Sequence, residues 1–218
     1  MNPTKLIVKG ILFDLDGTIL DTRPAYLYAA KTALKLLGQP IPEEDRLLQI
    51  PKRLELKLPI TDIVPAQTQQ FLILFLRTFY ETASQRTIPA PYVGQTLQVL
   101  SQRMKLAVIT MRYMSNAKVA EELRRHGLDG YFAHIVTALD TPKPKPSPQA
   151  LVKAVEAIDV EMCACVIVGD SVVDVEAGRA AGAKTVAVTS GLYTLEELEA
   201  AKPDFIIKAI SDLPSLLA

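Results

Sequence analysis

Asp14 and Asp16 stand two residues apart at the end of an apolar run and are followed by Gly17 and Thr18. A second apolar run ends in Thr110, and a proline-rich loop, Thr141 to Pro146, holds Lys143 and Lys145. A third run ends in Gly169-Asp170-Ser171, with Asp174 one helical turn later. Carboxylates can act as nucleophiles, proton carriers or hard oxygen ligands. Four of them cannot gather unpaired, so the set predicts a cation. No His or Cys belongs to it, which favours Mg2+ over zinc.

These residues are far apart in sequence, so the fold must gather them. Leu6 to Phe13 reads as a buried strand. Further strands are expected at Lys105–Thr110, Ala133–Thr137, Met162–Val168, Lys184–Val188 and Phe205–Ile207. Helices separate them, at about 94–103, 115–126, 147–158, 171–182 and 194–201, with a short one at the end. Ser147 is read as the cap of the third of these, with Pro148 at its first position. Strands alternating with helices predict an α/β doubly wound parallel sheet with right-handed crossovers. Ligands bind at the carboxyl ends of such strands, where every residue named above falls.

The stretch between the first strand and Pro89 is different. A helix runs from Thr22 to Gly38, and another from about Ala66 to Gln85 carries Leu72, Phe75, Leu76, Phe79 and Ala83 at helical spacing. Between them, Pro40, Pro42, Pro51, Pro59 and Pro65 are expected to break the chain into short pieces. The implied organisation is a catalytic core of residues 1–20 and 89–218 with an inserted helical cap, residues 21–88. The cap's aromatics read as its own core.

The motifs together resemble the haloacid dehalogenase superfamily, in its phosphoglycolate phosphatase-like branch with a helical cap. Asp14-Leu15-Asp16-Gly17-Thr18 resembles its first motif, Thr110 its second, Lys143 its third and Gly169 to Asp174 its fourth. The resemblance implies a Mg2+-dependent phosphohydrolase acting on a small phosphorylated metabolite. Asp14 would be the nucleophile and Asp16 the acid, then the base. Thr110 would donate to the phosphoryl group and Lys143 would neutralise it. Asp14, the Asp16 backbone carbonyl, Asp170 and Asp174 would hold the metal, Asp174 directly or through water. Gly17 would allow the tight turn and Thr18 would hold it, both as part of the substrate-binding loop. Ser171 would cap the next helix or touch the metal shell. Lys145 competes with Lys143, and the pattern Lys-Pro-any-Pro favours Lys143.

The chain also departs from the family pattern. Met111 stands where the family often has Asn. Arg112, next to it, would bind phosphate or an acidic substrate, or be solvated. Lys52 and Arg53 would reach an anionic substrate from the cap, or form a solvated helix start.

Bulk properties narrow the partners. Lys+Arg and Asp+Glu both number 24, so net charge is zero, which argues against nucleic acid or an anionic membrane. No apolar run reaches the length of a membrane span, and the first residues do not read as a signal peptide, so a cytoplasmic monomer or homodimer is expected. Cys163 and Cys165 are read as buried hydrophobes on one strand face. His126 and His134 are framed by no motif. Phosphotransfer by a mutase and a catalytically weak phosphate-binding protein are the alternatives. Dehalogenation has no use for Asp16, and receiver domains are too short.

Overall fold

A computed structural model describes residues 5–218. They form two compact units, divided after Leu20 and after Ile88. In order the chain forms β1 (Gly10–Phe13), β2 (Leu20–Asp21), α1 (Arg23–Leu36), α2 (Glu44–Glu55), α3 (Thr68–Arg86), β3 (Ile88–Pro89) and α4 (Val93–Ser101). Then follow β4 (Lys105–Ile109), α5 (Asn116–Arg125), β5 (His134–Val136), α6 (Gln149–Ile158), β6 (Cys165–Gly169), α7 (Val172–Ala181), β7 (Lys184–Val188), α8 (Leu195–Ala201), β8 (Phe205–Ile207) and α9 (Leu213–Leu216).

The larger unit is a six-stranded sheet in the order β5-β4-β1-β6-β7-β8, parallel throughout. Side chains alternate across it, as strand geometry requires. Ile11 and Phe13 join one core with Leu97, Val108, Val119, Leu123, Val166 and Val168. Leu12, between them, joins the other, with Ala107, Ile109, Leu151, Ala154, Ile158 and Ile167. Helices therefore cover both faces, and the central strands are apolar on both sides. A β-carbon on Gly178 of α7 would overlap the side chains of Ile167 and Thr185, so glycine there lets helix and sheet pack closely. In register, Phe13 lies level with Val108 and with Val168. Asp14, Thr110 and Asp170 thus leave the sheet at one edge.

The smaller unit is helical around Ala25, Ala29, Ala33, Leu34, Leu47, Ile50, Phe71, Phe75 and Phe79. Alanines on α1 let the rings of α3 approach, and the Tyr26 and Phe79 rings stack 4.9 Å apart. The proline-rich stretch does not break up as expected. It contains the 12-residue α2 with Pro51 inside it. An interior proline costs a helix about 3 kcal/mol. Burying Leu47 and Ile50 returns roughly 1.5–3 kcal/mol each, so packing wins.

Other boundaries also moved. β1 begins at Gly10, and Leu6 only bridges Leu217. Met162–Ala164 is a 3-10 turn, so Cys163 is exposed and only Cys165 is buried, its thiol pushed up to about 11 by that burial. Pro148, not Ser147, caps α6. Among the described residues, no helix is long and apolar enough to cross a membrane.

Candidate active site

Three carboxylates converge where β1 and β6 end. Oxygens of Asp14, Asp170 and Asp174 all lie within 4.8 Å of one another, and all three residues are buried. Each is held by its local chain. The Asp14 N–H donates to the Val168 carbonyl at 2.9 Å, extending the ladder past β1. Gly17, at φ 85°, turns the chain back so that the Thr18 hydroxyl donates to Asp170 Oδ1 at 3.1 Å. Asp174 sits at the third position of α7 in a capping box. Its carboxylate accepts from the Ser171 N–H and hydroxyl, and its own N–H donates back to Ser171 Oγ. Ser171 is therefore a helix cap.

The lysine expected at position 143 is not the one that arrives. Lys143 is exposed, and its backbone N–H is used by the Gln149 side chain. Lys145 instead is buried at 3 %, with Nζ 2.5 Å from Asp14 Oδ1 and 2.5 Å from Asp174 Oδ1. Both lysines satisfy Lys-Pro-any-Pro, because the loop reads Lys143-Pro144-Lys145-Pro146-Ser147-Pro148. What separates them is burial: the Lys145 amine is enclosed with Asp14 and Asp174, and the Lys143 side chain is exposed. The loop is anchored further back by Asp140, which accepts from the Thr137 N–H at 2.8 Å and from Lys153.

The electrostatics are unbalanced. Burial, with Asp174 and Asp16 nearby, pushes the Asp14 carboxyl well above its ordinary range despite the opposing pull of Lys145. Lys145 is held firmly protonated, because Asp14 and Asp174 outweigh its desolvation. Lys145 pairs with two of the three buried carboxylates. The oxygen-only donor set fits a divalent cation.

Other expected residues have specific places. Thr110 is buried, and its Oγ accepts from the Arg112 N–H at 3.2 Å. Arg112 is buried rather than solvated. Its guanidinium donates to both oxygens of Asp16, at 2.6 to 3.1 Å, and to Glu122 Oε2 at 2.5 Å. Thr18 is fully buried, and its hydroxyl donates to Asp170. In the smaller unit, Lys52 and Arg53 lie in the last turn of α2, not at a helix start. Lys52 is buried, and Arg53 is bound to the Asp62 carboxylate and the Pro59 carbonyl.

Sequence reasoning passed over Ser190 and Gly191. The Ser190 hydroxyl donates to the Gly17 carbonyl at 2.7 Å, joining the loop after β7 to the first motif. A β-carbon on Gly191 would overlap the Asp170 carboxylate. The signal was available: a Ser-Gly pair follows an apolar strand at the edge that carries the other loops. Glu122 gave no signal, since it lies in a highly charged helix that reads as solvated.

Comparison with known proteins finds relatives along most of the chain. The haloacid dehalogenase-like hydrolase family profile matches residues 11–188. A phosphoglycolate phosphatase from Vibrio parahaemolyticus is 30% identical, across 99% of this chain and 98% of its own. That of Escherichia coli is 28% identical, across 94% and 91%. A solved haloacid dehalogenase-like family protein from Streptococcus pneumoniae superposes with a TM-score of 0.80 over 95% of this chain and 97% of its own. At 19% identity that likeness concerns the fold alone. The chain belongs to the haloacid dehalogenase-like hydrolase family.

Proposed function

We propose that this phosphatase cleaves a small phosphomonoester with Mg2+ through a phosphoryl group carried on Asp14. The observation that carries the reading is the meeting of Asp14, Asp170 and Asp174 around Lys145 at the carboxyl edge of the sheet. An Asp14 oxygen attacks phosphorus, and the bond to the alkoxide oxygen breaks. Asp16 gives that oxygen a proton, and the alcohol leaves. Water then attacks the aspartyl-phosphate, Asp16 takes its proton, and phosphate is released with Asp14 restored. Thr110 donates a hydrogen bond to the phosphoryl oxygens. Lys145, in the role expected of Lys143, keeps positive charge beside the nucleophile as the transition state spreads charge outward. Asp14, Asp170 and Asp174 would hold the metal, which when bound supplies charge neutralisation for the phosphoryl group. Similarity to phosphoglycolate phosphatases supports a small, acidic phosphorylated metabolite as substrate.

The test is hydrolysis of p-nitrophenyl phosphate with Mg2+, with EDTA and with Asp14→Asn. Release of phosphate that needs the metal and vanishes in the variant is expected. Metal-independent release, or an active Asp14→Asn, sinks the reading. Transfer to a second substrate hydroxyl, the mutase alternative, would consume ester without freeing phosphate.

A further inference from the structure

We infer that Arg112 is a positioning residue that sets Asp16 and Thr110 for turnover, with Glu122 as its buried anchor. The inference rests on the catalytic reading above and deepens it.

Arg112 joins two loops of the site. Its guanidinium grips the Asp16 carboxylate, Nε reaching Oδ1 at 3.1 Å and Oδ2 at 2.9 Å, with a second nitrogen 2.6 Å from Oδ1. A planar fork of this kind fixes a carboxylate in orientation as well as in place. Its backbone N–H donates to Thr110 Oγ, which leaves the hydroxyl hydrogen for an acceptor in the site. Met111 has no polar side chain, so the order of this loop comes from its neighbour.

The anchor argues against a merely structural pair. The Arg112 side chain is 2% exposed and that of Glu122 1%, while Asp16 keeps 17%. Burying a guanidinium and a carboxylate carries a desolvation cost that well-packed apolar residues avoid. The arrangement makes sense if the fork has to face Asp16. Glu122, one buried face of α5 away from solvent, holds the rest of the guanidinium so that it cannot swing out.

The structural alternative predicts lost stability and no kinetic signature. The positioning role predicts damage to the steps that Asp16 serves. With p-nitrophenyl phosphate the leaving group needs little acid help, so Asp16 matters chiefly as the base of the second step. The experiment is rapid-mix and steady-state hydrolysis of p-nitrophenyl phosphate with Mg2+. It compares wild type, Arg112→Ala, and the double variant Arg112→Met with Glu122→Leu, which leaves no buried charge unpaired and so guards against misfolding. Both variants should lose roughly 100-fold in kcat, as a misplacement of an ångström does, and KM should fall with it, because slowing the second step alone leaves kcat/KM unchanged. A burst of p-nitrophenol near one equivalent should persist. Tens of millimolar guanidinium should restore part of the Arg112→Ala rate. Unchanged kcat in a folded variant, or burst and turnover lost together without rescue, overturns the inference. Failure of the underlying reading shows elsewhere, as a wild type that neither hydrolyses the ester nor takes phosphoryl from acetyl phosphate, or an Asp14→Asn that still turns over.

Discussion

The charged residues of the two units are used in opposite ways. In the core, buried charges converge on one sheet edge: Asp14, Asp170, Asp174 and Lys145 in one group, Asp16, Arg112 and Glu122 in the next. In the helical unit the charges close on their own scaffold. Arg53 and Arg46 hold Asp62, Lys31 pairs with Glu44, Arg77 with Glu81, and Arg86 lies 3.3 Å over the Tyr28 ring. The core also has scaffold pairs such as Lys184–Asp204, so the contrast lies in the charges gathered at its sheet edge, to which the proposed function gives the chemistry. Basic residues of a helical insertion are thus a poor guide to substrate contact until their partners are known.

The largest test of this contrast is the pair of neighbouring lysines. Lys145→Ala should lower kcat about 1,000-fold, since removing one preorganised charge from a reacting centre costs of that order. It also leaves Asp14 and Asp174 facing each other unneutralised, a loss of about 3–5 kcal/mol in folded stability for a broken buried pair. Lys143→Ala should stay within about twofold in both respects, as an exposed substitution does. Thermal melts beside p-nitrophenyl phosphate kinetics check both. Equal losses at the two positions would mean that the loop as a whole, not the buried amine, matters.

Next in size is Gly191→Ala. The new methyl would displace the Asp170 carboxylate, whose atoms are the nearest to it. Mg2+ affinity, read by calorimetry, should fall by about 10- to 100-fold, as for other losses of support around a metal ligand. The melting temperature of the metal-free protein should hardly change. A variant that binds metal normally would show that Asp170 has room the structure does not display.

Smaller again is the acid response of the core's scaffold carboxylates. Asp204 is raised by burial, but hydrogen bonds from Thr185 and Lys184 more than offset this and hold it below its ordinary 3.8. Asp140 is lowered in the same way by Thr137 and Lys153. A depressed folded pKa gives stability that is present above the unfolded value and lost as pH falls through the folded one. Stability should therefore decline below about pH 4, where these groups begin to protonate. Asp204→Asn should flatten that limb by less than about 1 kcal/mol, because the carboxylate is partly exposed and screened. Urea melts between pH 3 and 6 measure it.

Much of this was legible beforehand because it depends on local pattern. Apolar runs ending in carboxylates at 14, 16 and 170 gave the parallel sheet and its functional edge, since strand period and strand ends are written in neighbouring residues. What stayed hidden depends on pairing across the chain. Nothing near Arg112 says that Asp16 lies 96 positions away. Nothing near Glu122 says that its helix turns that face inward. The choice between Lys143 and Lys145 needed the path of a loop through three prolines. The proline-broken reading of residues 39–65 failed for a related reason: local propensity disfavoured α2, and burial of Leu47 and Ile50 overrode it.

The finest test concerns Arg53, for which the sequence allows either an anionic substrate contact or a solvated helix start. Arg53→Gln keeps the length of the side chain and removes its charge. If the guanidinium serves only Asp62 and the Pro59 carbonyl, KM and kcat for p-nitrophenyl phosphate should both stay within about twofold, since exposed ion pairs contribute little. An acidic ester such as phosphoglycolate should behave the same. A KM that rises for the acidic ester alone would mean that Arg53 leaves Asp62 to meet a substrate carboxylate. Part of the helical unit's charge would then belong to recognition, and the division between chemistry and architecture would run through α2 rather than between the units.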